Sequence, residues 1–331
     1  MIDFRNAAAL LLSTAALSLA PCVLAERPAI NDKEVPEARS DLEAIQKHVT
    51  ETLPAARKAT VCLEFAESSG SGVIVSADGL ILTAAHVTAG VGHEFTVVFE
   101  DGKRVKAESL GLVANTDCAM AKITDKGTWP HVDLNRDDDT KLGDWVYALG
   151  YSGGYDKERG VVVRVGRVVR TSQHTIQSDC SLIGGDSGGP LFDLNGHVIA
   201  INSRVAQRTT ENLHVPAREF VKNWDGLLKG EFIGEGSFAK RPEKGKGFLG
   251  ISAEPRTDGP GLSVTKVGRE SPAEKAGMRH GDVLLKIDGV EMKTKEQLQD
   301  FLKEKAPDDR LAFELLRAGK TENLTFRLGE R

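Results

Sequence analysis

The chain has 331 residues, 40% of them apolar and 27% charged, which is the balance of a folded soluble protein of about two domains and excludes a disordered or fibrous one. Its 43 Lys and Arg against 48 Asp and Glu leave a net charge of -5, so no broad basic surface points to nucleic acid as a partner. Charge gives no support to membrane attachment either.

Residues 1–25 differ from the rest. Arg5, an apolar stretch from Ala7 to Leu19 and the small-residue end Val23-Leu24-Ala25 have the pattern of a secretory signal peptide cleaved after Ala25, which predicts a periplasmic or secreted chain. The stretch is short for a membrane span and contains Ser and Thr. Leu19-Ala20-Pro21-Cys22 faintly resembles a lipoprotein box, with proline where a small flexible residue belongs, and lipidation is the alternative. Removal of Cys22 leaves Cys62, Cys118 and Cys180, an odd number without zinc spacing. They read as buried structural thiols, and no metal or cofactor is expected.

Residues 26–57 form a charged lead-in, in which the spacing of Ala44-Ile45, His48-Val49 and Leu53 predicts one amphipathic helix. From Ala59 the period changes to two. Asp78-Gly79, Asp101-Gly102 and Asn195-Gly196 each separate β-branched runs, a hairpin signature. Serial hairpins without intervening helices imply antiparallel sheet or barrel up to about Val215, closed by a helix from Pro216 to Leu228, so that one domain spans 58–228. The glycine-rich, charged stretch 229–246 is expected to be a linker crossed by few contacts. Residues 247–331 read as a second, small α+β domain with a helix around Leu298, Phe301 and Leu302.

The segment Gly184-Gly185-Asp186-Ser187-Gly188-Gly189-Pro190 carries the strongest chemical signal. A serine hydroxyl becomes a nucleophile only when a base removes its proton and preorganised donors receive the developing negative charge. Glycines before Ser187 let the N–H groups of Gly185 and Ser187 face one point, and those after it are expected to let the substrate approach. The stretch also fits the Gly-x-Ser-x-Gly elbow of α/β-hydrolases, but that serine lies between a strand and a helix, whereas here Pro190 and a hairpin follow. His86, in Thr83-Ala84-Ala85-His86-Val87, has the small neighbours that a general base packed close to the serine needs. Asp117 opens an apolar strand and is the candidate for the carboxylate that orients the imidazole. Its rival, the run Asp137-Asp138-Asp139, reads as a solvated loop.

Gly70-Ser71-Gly72-Val73-Ile74, the His86 segment, Asp117 and the Ser187 motif stand in the order found in chymotrypsin-fold proteases and most resemble the HtrA (Deg) family. The resemblance covers about residues 58–331. It implies a mainly β double-barrel protease followed by a PDZ domain, with His86, Asp117 and Ser187 as triad, Gly185 and Ser187 as oxyanion hole, and Ser181, six places before the nucleophile, at the base of the specificity pocket. Asp179, two residues away, shares a strand face with Ser181 and threatens that assignment. Gly247-Phe248-Leu249-Gly250-Ile251 resembles a carboxylate-binding PDZ loop, with Leu298 and Leu302 near the last side chain of a bound peptide. Ser271 to Met278 and Gly281 to Leu284 are similar to the PDZ signature turn and strand.

Two features depart from the family. Asp186 replaces its usual asparagine, as in trypsin-like digestive proteases where that aspartate pairs with a freed N-terminus, yet no Ile-Val-Gly-Gly start is present here. Phe65 to Gly72 is too short for the long regulatory loop. The resulting expectation is an exported endopeptidase acting on misfolded or selected extended polypeptides, its PDZ domain binding protein C-termini, with a trimer as in many relatives. The alternative is a periplasmic chaperone or PDZ adaptor with weak or conditional proteolysis.

Overall fold

The structure is a computed structural model and describes residues 27–66, 68–88, 90–205 and 211–330; the signal-peptide reading for residues 1–25 lies outside them. After a single 3-10 turn, helix α1 (Arg39–Ala59) leads into strand β1 (Thr60–Glu64). The carboxylate of Asp41 caps the helix by accepting from the N–H groups of Glu37 and Ala38 at 2.8 and 3.2 Å. Ile45, Val49, Leu53 and Ala56, at helical spacing, place one face of α1 in the apolar core, and Thr52 accepts from the hydroxyl of buried Tyr147 at 2.9 Å.

Strands β2 (Ser69–Ile74), β3 (Leu80–Ala84), β4 (Glu94–Val98), β5 (Arg104–Val113) and β6 (Cys118–Ile123) join β1 in an antiparallel sheet that the β5–β6 pairing closes. The one-turn helix α2 (Ala85–Thr88) follows β3. A second closed barrel comprises β7 (Trp145–Gly150), β8 (Val162–Ser172), β9 (Thr175–Ser178), β10 (Pro190–Asp193), β11 (Val198–Val205) and β12 (Asn212–Pro216). One cluster of buried side chains, including Leu82, Met120, Leu149, Phe192 and Phe220, runs through both barrels. Each large side chain fully buried there contributes about 1.5–3 kcal/mol. The closing helix expected over Pro216 to Leu228 is two short ones, α3 (Ala217–Lys222) and α4 (Trp224–Leu228), broken at Asn223, whose φ of -106° and ψ of 12° leave the helical region.

The stretch 229–246 makes more contacts than its glycines suggested. Strand β13 (Phe232–Ile233) pairs in parallel with β5, Ala239 is buried, and a Cβ at Gly236 would stand 2.2 Å from the carbonyl of Ala114. Glycine here lets the chain lie on the first barrel, so the composition that suggested a free linker serves close packing. Beyond it come β14 (Gly247–Phe248), β15 (Ile251–Pro255), β16 (Leu262–Val267), helix α5 (Pro272–Lys275), β17 (Val283–Ile287), β18 (Val290–Glu291), helix α6 (Lys295–Lys303), β19 (Arg310–Arg317), β20 (Lys320–Arg327) and β21 (Gly329–Glu330). Strands β15, β16, β17, β19 and β20 form one sheet in that order, leaving β15 at its edge with α6 against it. Its core centres on Leu262, Leu284, Leu298 and Phe313, the last stacked on Phe326 at 4.4 Å. The mainly β, double-barrel-plus-small-sheet architecture expected from the sequence is the observed one.

His214 sits fully inside the second barrel. Its Nδ1–H donates to the side-chain oxygen of Asn202 at 2.9 Å and its Nε2 accepts from the Ser178 hydroxyl at 2.7 Å, which fixes a neutral ring. Burial pushes its pKa down to about 3 from an ordinary 6.5. The unfolded chain therefore binds a proton below pH 6.5 that the folded chain refuses down to about pH 3, and stability falls through that window as pH falls. Urea unfolding between pH 6.5 and 5 should show His214 contributing up to about 1.4 kcal/mol per pH unit. A His214→Gln variant should be flatter by that amount, and an identical slope would contradict the neutral assignment.

Candidate active site

Three turns meet at the junction of the barrels. β3 and β6 pair with Ala84 opposite Cys118, which brings the α2 turn carrying His86 beside the turn carrying Asp117. Asp117 is fully buried and has a φ of 64°, the left-handed region that costs an ordinary residue energy and that proteins retain where the side chain must point one way. Its carboxylate accepts from the backbone N–H of His86 at 3.0 Å and faces His86 Nδ1 at 3.0 and 3.1 Å. The hydroxyl of buried Ser203 donates to it at 2.5 Å. An acceptor on both sides of Nδ1 makes that nitrogen the protonated one and leaves Nε2 as the base.

Ser187 faces the same cleft, which His86, Leu182, Ile183, Gly184, Arg204, Val205 and Phe238 also line. Its hydroxyl donates to the carbonyl of Ser203 at 3.2 Å. The His86 ring nitrogen that Asp117 does not engage is Nε2. Gly185 has a φ of +94°, and a Cβ there would stand 2.4 Å from the carbonyl of Tyr151. Among the described residues, neither the N–H of Gly185 nor that of Ser187 donates to a protein acceptor. Two unspent donors two residues apart, beside the nucleophile, are the raw material of an oxyanion site.

The glycines after Ser187 have a different task from the expected one of admitting substrate. A Cβ at Gly188 would lie 2.1 Å from the carbonyl of Ser71 and 2.2 Å from the hydroxyl of Thr83, and one at Gly189 would lie 2.3 Å from the carbonyl of Leu149. They let the nucleophile turn dock on the strands of both barrels. Ser71 N–H donates to the Ser187 carbonyl at 2.7 Å and holds that dock.

The other anticipated site residues fall as follows. Ser181 is exposed and does not line the cleft, while its neighbours Cys180 and Leu182 are buried in the loop that follows β9. Asp179 is also exposed; its carboxylate accepts from the N–H of Arg167 at 2.6 Å, away from the cleft. Leu182, Ile183 and Val205 supply apolar walls instead. In the C-terminal sheet, Gly247 N–H is spent on the carbonyl of Lys305 at 3.3 Å, whereas the N–H groups of Leu249 and Gly250 meet no described acceptor. Gly250 has a φ of +86°, Leu249 and Leu298 are buried, and Phe248, Ile251 and Leu302 are half-buried beside the free edge of β15. Ser203, Asn202 and Phe238 were not anticipated. Ser203 enters through a bulge in β11, and its sequence signal was the polar pair Asn202-Ser203 ending an apolar buried run. Cys62, Cys118 and Cys180 are buried and unpaired. Among the described residues no cluster of His, Cys, Asp and Glu could hold a metal ion.

Two closed six-stranded barrels with a Ser, His and Asp at their junction, followed by a sheet domain with a free edge, define the trypsin-like peptidase class with an appended PDZ domain. A trypsin-like peptidase domain model matches residues 70–201 and a PDZ domain model residues 247–328. Proteins described as probable periplasmic serine endoproteases, DegP-like, are similar over most of the chain. The one from Halomonas elongata is 31% identical over 281 residues, 80% of this chain and 56% of that protein. The one from Bartonella henselae is 30% identical over 279 residues, 78% of this chain and 52% of that protein. The chain spans about half the length of these curated relatives. Among solved structures, the HtrA-type protease AlgW with tripeptide is 27% identical with a TM-score of 0.49, covering 87% of this chain and 97% of that one. The chain belongs to the HtrA family of serine proteases.

Replacing Gly188 by alanine should destabilise the fold strongly, by about 3 kcal/mol or more, since backbone atoms of β2 occupy the space and the positive φ adds strain. The midpoint of urea unfolding checks this, and an unchanged midpoint would show that the turn is not docked as described.

Proposed function

We propose that this chain is an exported serine endopeptidase that cleaves extended segments of misfolded or selected proteins through His86, Asp117 and Ser187, and that its C-terminal sheet domain binds free protein C-termini. The observation that carries the reading is the imidazole held by one carboxylate at 3.0 and 3.1 Å in the same cleft as Ser187. In the first step Ser187 Oγ bonds to the scissile carbonyl carbon, its proton passes to Nε2 of His86, and the carbonyl π electrons move to oxygen. The N–H groups of Gly185 and Ser187 are the donors available to that oxyanion. Collapse breaks the C–N bond, the imidazolium returns the proton to the departing amine, and water repeats the sequence to release the acid. Asp117 stays ionised and stabilises the imidazolium.

The description of the relatives as periplasmic proteins supports a periplasmic setting. Leu182, Ile183 and Val205 favour an aliphatic side chain before the scissile bond, and among the described residues no carboxylate lines the cleft to receive Lys or Arg. Ser187 resting on the Ser203 carbonyl favours a conditional form of this activity, in which the hydroxyl must turn before each attack. At the edge of β15 an extended peptide would pair as an added strand, its terminal carboxylate taken by the N–H groups of Leu249 and Gly250.

Incubating a denatured proteome with the wild-type chain should yield cuts after Val, Ala or Leu, together with labelling by a fluorophosphonate. Ser187→Ala should lose both while unfolding at the same temperature, because loss of a triad nucleophile costs several orders of magnitude in rate. Cleavage by the alanine variant in a clean preparation would refute the assignment. The full-length Ser187→Ala chain should bind peptides with free apolar C-termini at least tenfold more tightly than their C-terminal amides, as read by fluorescence anisotropy. Equal affinities would remove the carboxylate loop.

A further inference from the structure

The residue before the nucleophile is a charged group in a place where charge is expensive. Asp186 is fully buried, and an unpaired carboxylate there would cost several kcal/mol. Among the described residues one cation lies within ion-pair distance: Nη2 of Arg164, on β8, stands 3.0 Å from Oδ2 of Asp186 and donates to the hydroxyl of Ser152 at 2.9 Å. Ser152 passes the contact on by donating to the other carboxylate oxygen at 2.7 Å. Arg164 is itself largely enclosed, and its Nη1 is buried with no partner, so the guanidinium's charged contact is this carboxylate alone. Gly150, beside Ser152, leaves the room required, since a Cβ there would stand 2.6 Å from Asp186 Oδ1.

The paired carboxylate organises the catalytic turn. Oδ2 of Asp186 accepts from the N–H of Ile183 at 2.8 Å, and the Asp186 N–H donates to the Ile183 carbonyl at 3.1 Å. The Asp186 carbonyl accepts from Gly189 N–H at 3.0 Å and from the Asn202 amide at 3.2 Å. Residues 183–189 are thereby wrapped around one side chain, and Gly185 and Ser187 sit on either side of it. Among the described residues the compensating charge comes from this arginine, and the 21-residue helix α1 precedes β1 without a break.

We propose that Arg164 is a positioning residue for catalysis: by neutralising Asp186 from within the second barrel it fixes the turn that presents Ser187 and the N–H groups of Gly185 and Ser187, a role that rests on the peptidase reading above. The turn is then built in as the chain folds, without proteolytic release of a new amino terminus. The attack step loses more than substrate binding does, since of the cleft walls only Ile183 and Gly184 belong to this turn, while Leu182, Val205 and Phe238 lie outside it.

The test is a cycle of Arg164→Met, Asp186→Asn and the double variant, with Arg164→Lys as a milder probe should methionine prevent folding. Arg164→Met should lower kcat about 100-fold, the size of effect that accompanies loss of one oxyanion donor, with KM changed less than about threefold. Arg164→Lys should fall between that variant and the wild type, because it keeps the charge and loses the fork. The double variant should recover to within about tenfold of wild-type kcat, since a neutral amide at 186 no longer needs a cation. A merely structural arginine would lower the unfolding midpoint without any rescue of kcat by the change at 186. Wild-type kcat in Arg164→Met, or a double variant no better than the single, overturns the proposal. If the wild-type chain does not hydrolyse peptides at all, the peptidase reading fails by itself, and the pair is judged by urea unfolding of the same four proteins. There, additive midpoints would overturn the pairing and non-additive ones would uphold it.

Discussion

The cleft proposed as the active site depends on how two barrels that share one apolar core are set against each other. Asp117 belongs to the first barrel and the hydroxyl that steadies it, Ser203, to the second; the Ser187 carbonyl from the second barrel accepts from Ser71 of the first. Neither contact survives if the barrels slide by one residue, because a strand advances about 3.3 Å per residue and a shift of that size exceeds hydrogen-bond reach. The common cluster through Leu82, Met120, Leu149 and Phe192 resists such sliding by close packing, where a shift opens voids that nothing fills. Catalytic geometry here is a property of the interface between two units, each of which could close its own hydrogen bonds alone.

The segment between the second barrel and the C-terminal sheet domain joins that interface. Phe238 lines the cleft, lies 6.5 Å from the His86 ring and has the Arg204 guanidinium 4.9 Å from its centroid. Farther along, His93 Nε2 stands 3.3 Å from Asp308 and Arg327 3.4 Å from Glu108, so charged contacts connect the sheet domain to the first barrel. The Asp308 contact raises the His93 pKa, and this contact is therefore strongest when the ring is protonated and fades as pH rises through that raised value.

The parts of this design that the sequence made legible are local ones. A serine between glycine pairs, a histidine after two alanines and dipeptides of Asp-Gly and Asn-Gly carry their meaning within a few positions, and the mainly β architecture followed from them. Asp117 was legible as a lone charge opening an apolar strand, although its left-handed backbone was not. Ser203 and Arg164 were illegible because each gains its role from partners brought near by barrel closure: Ser203 through a bulge in β11, Arg164 through the pairing of β8 with β7. Ser181 was reached by counting back from Ser187, and counting does not tell which side chains of the loop after β9 turn inward. The glycines of 229–246 were misread for a related reason, since composition does not distinguish a loose chain from one pressed against a neighbour's backbone.

The three buried thiols have a consequence for how the folded chain meets oxidants. Burial pushes Cys62 up to about 12 and Cys180 to about 11, and moves Cys118 in the same direction. Almost none of any of them is thiolate at neutral pH, and thiolate is the form that oxidants and disulfide exchange attack. Once the chain is folded, these three thiols are therefore shielded from oxidants and from disulfide exchange.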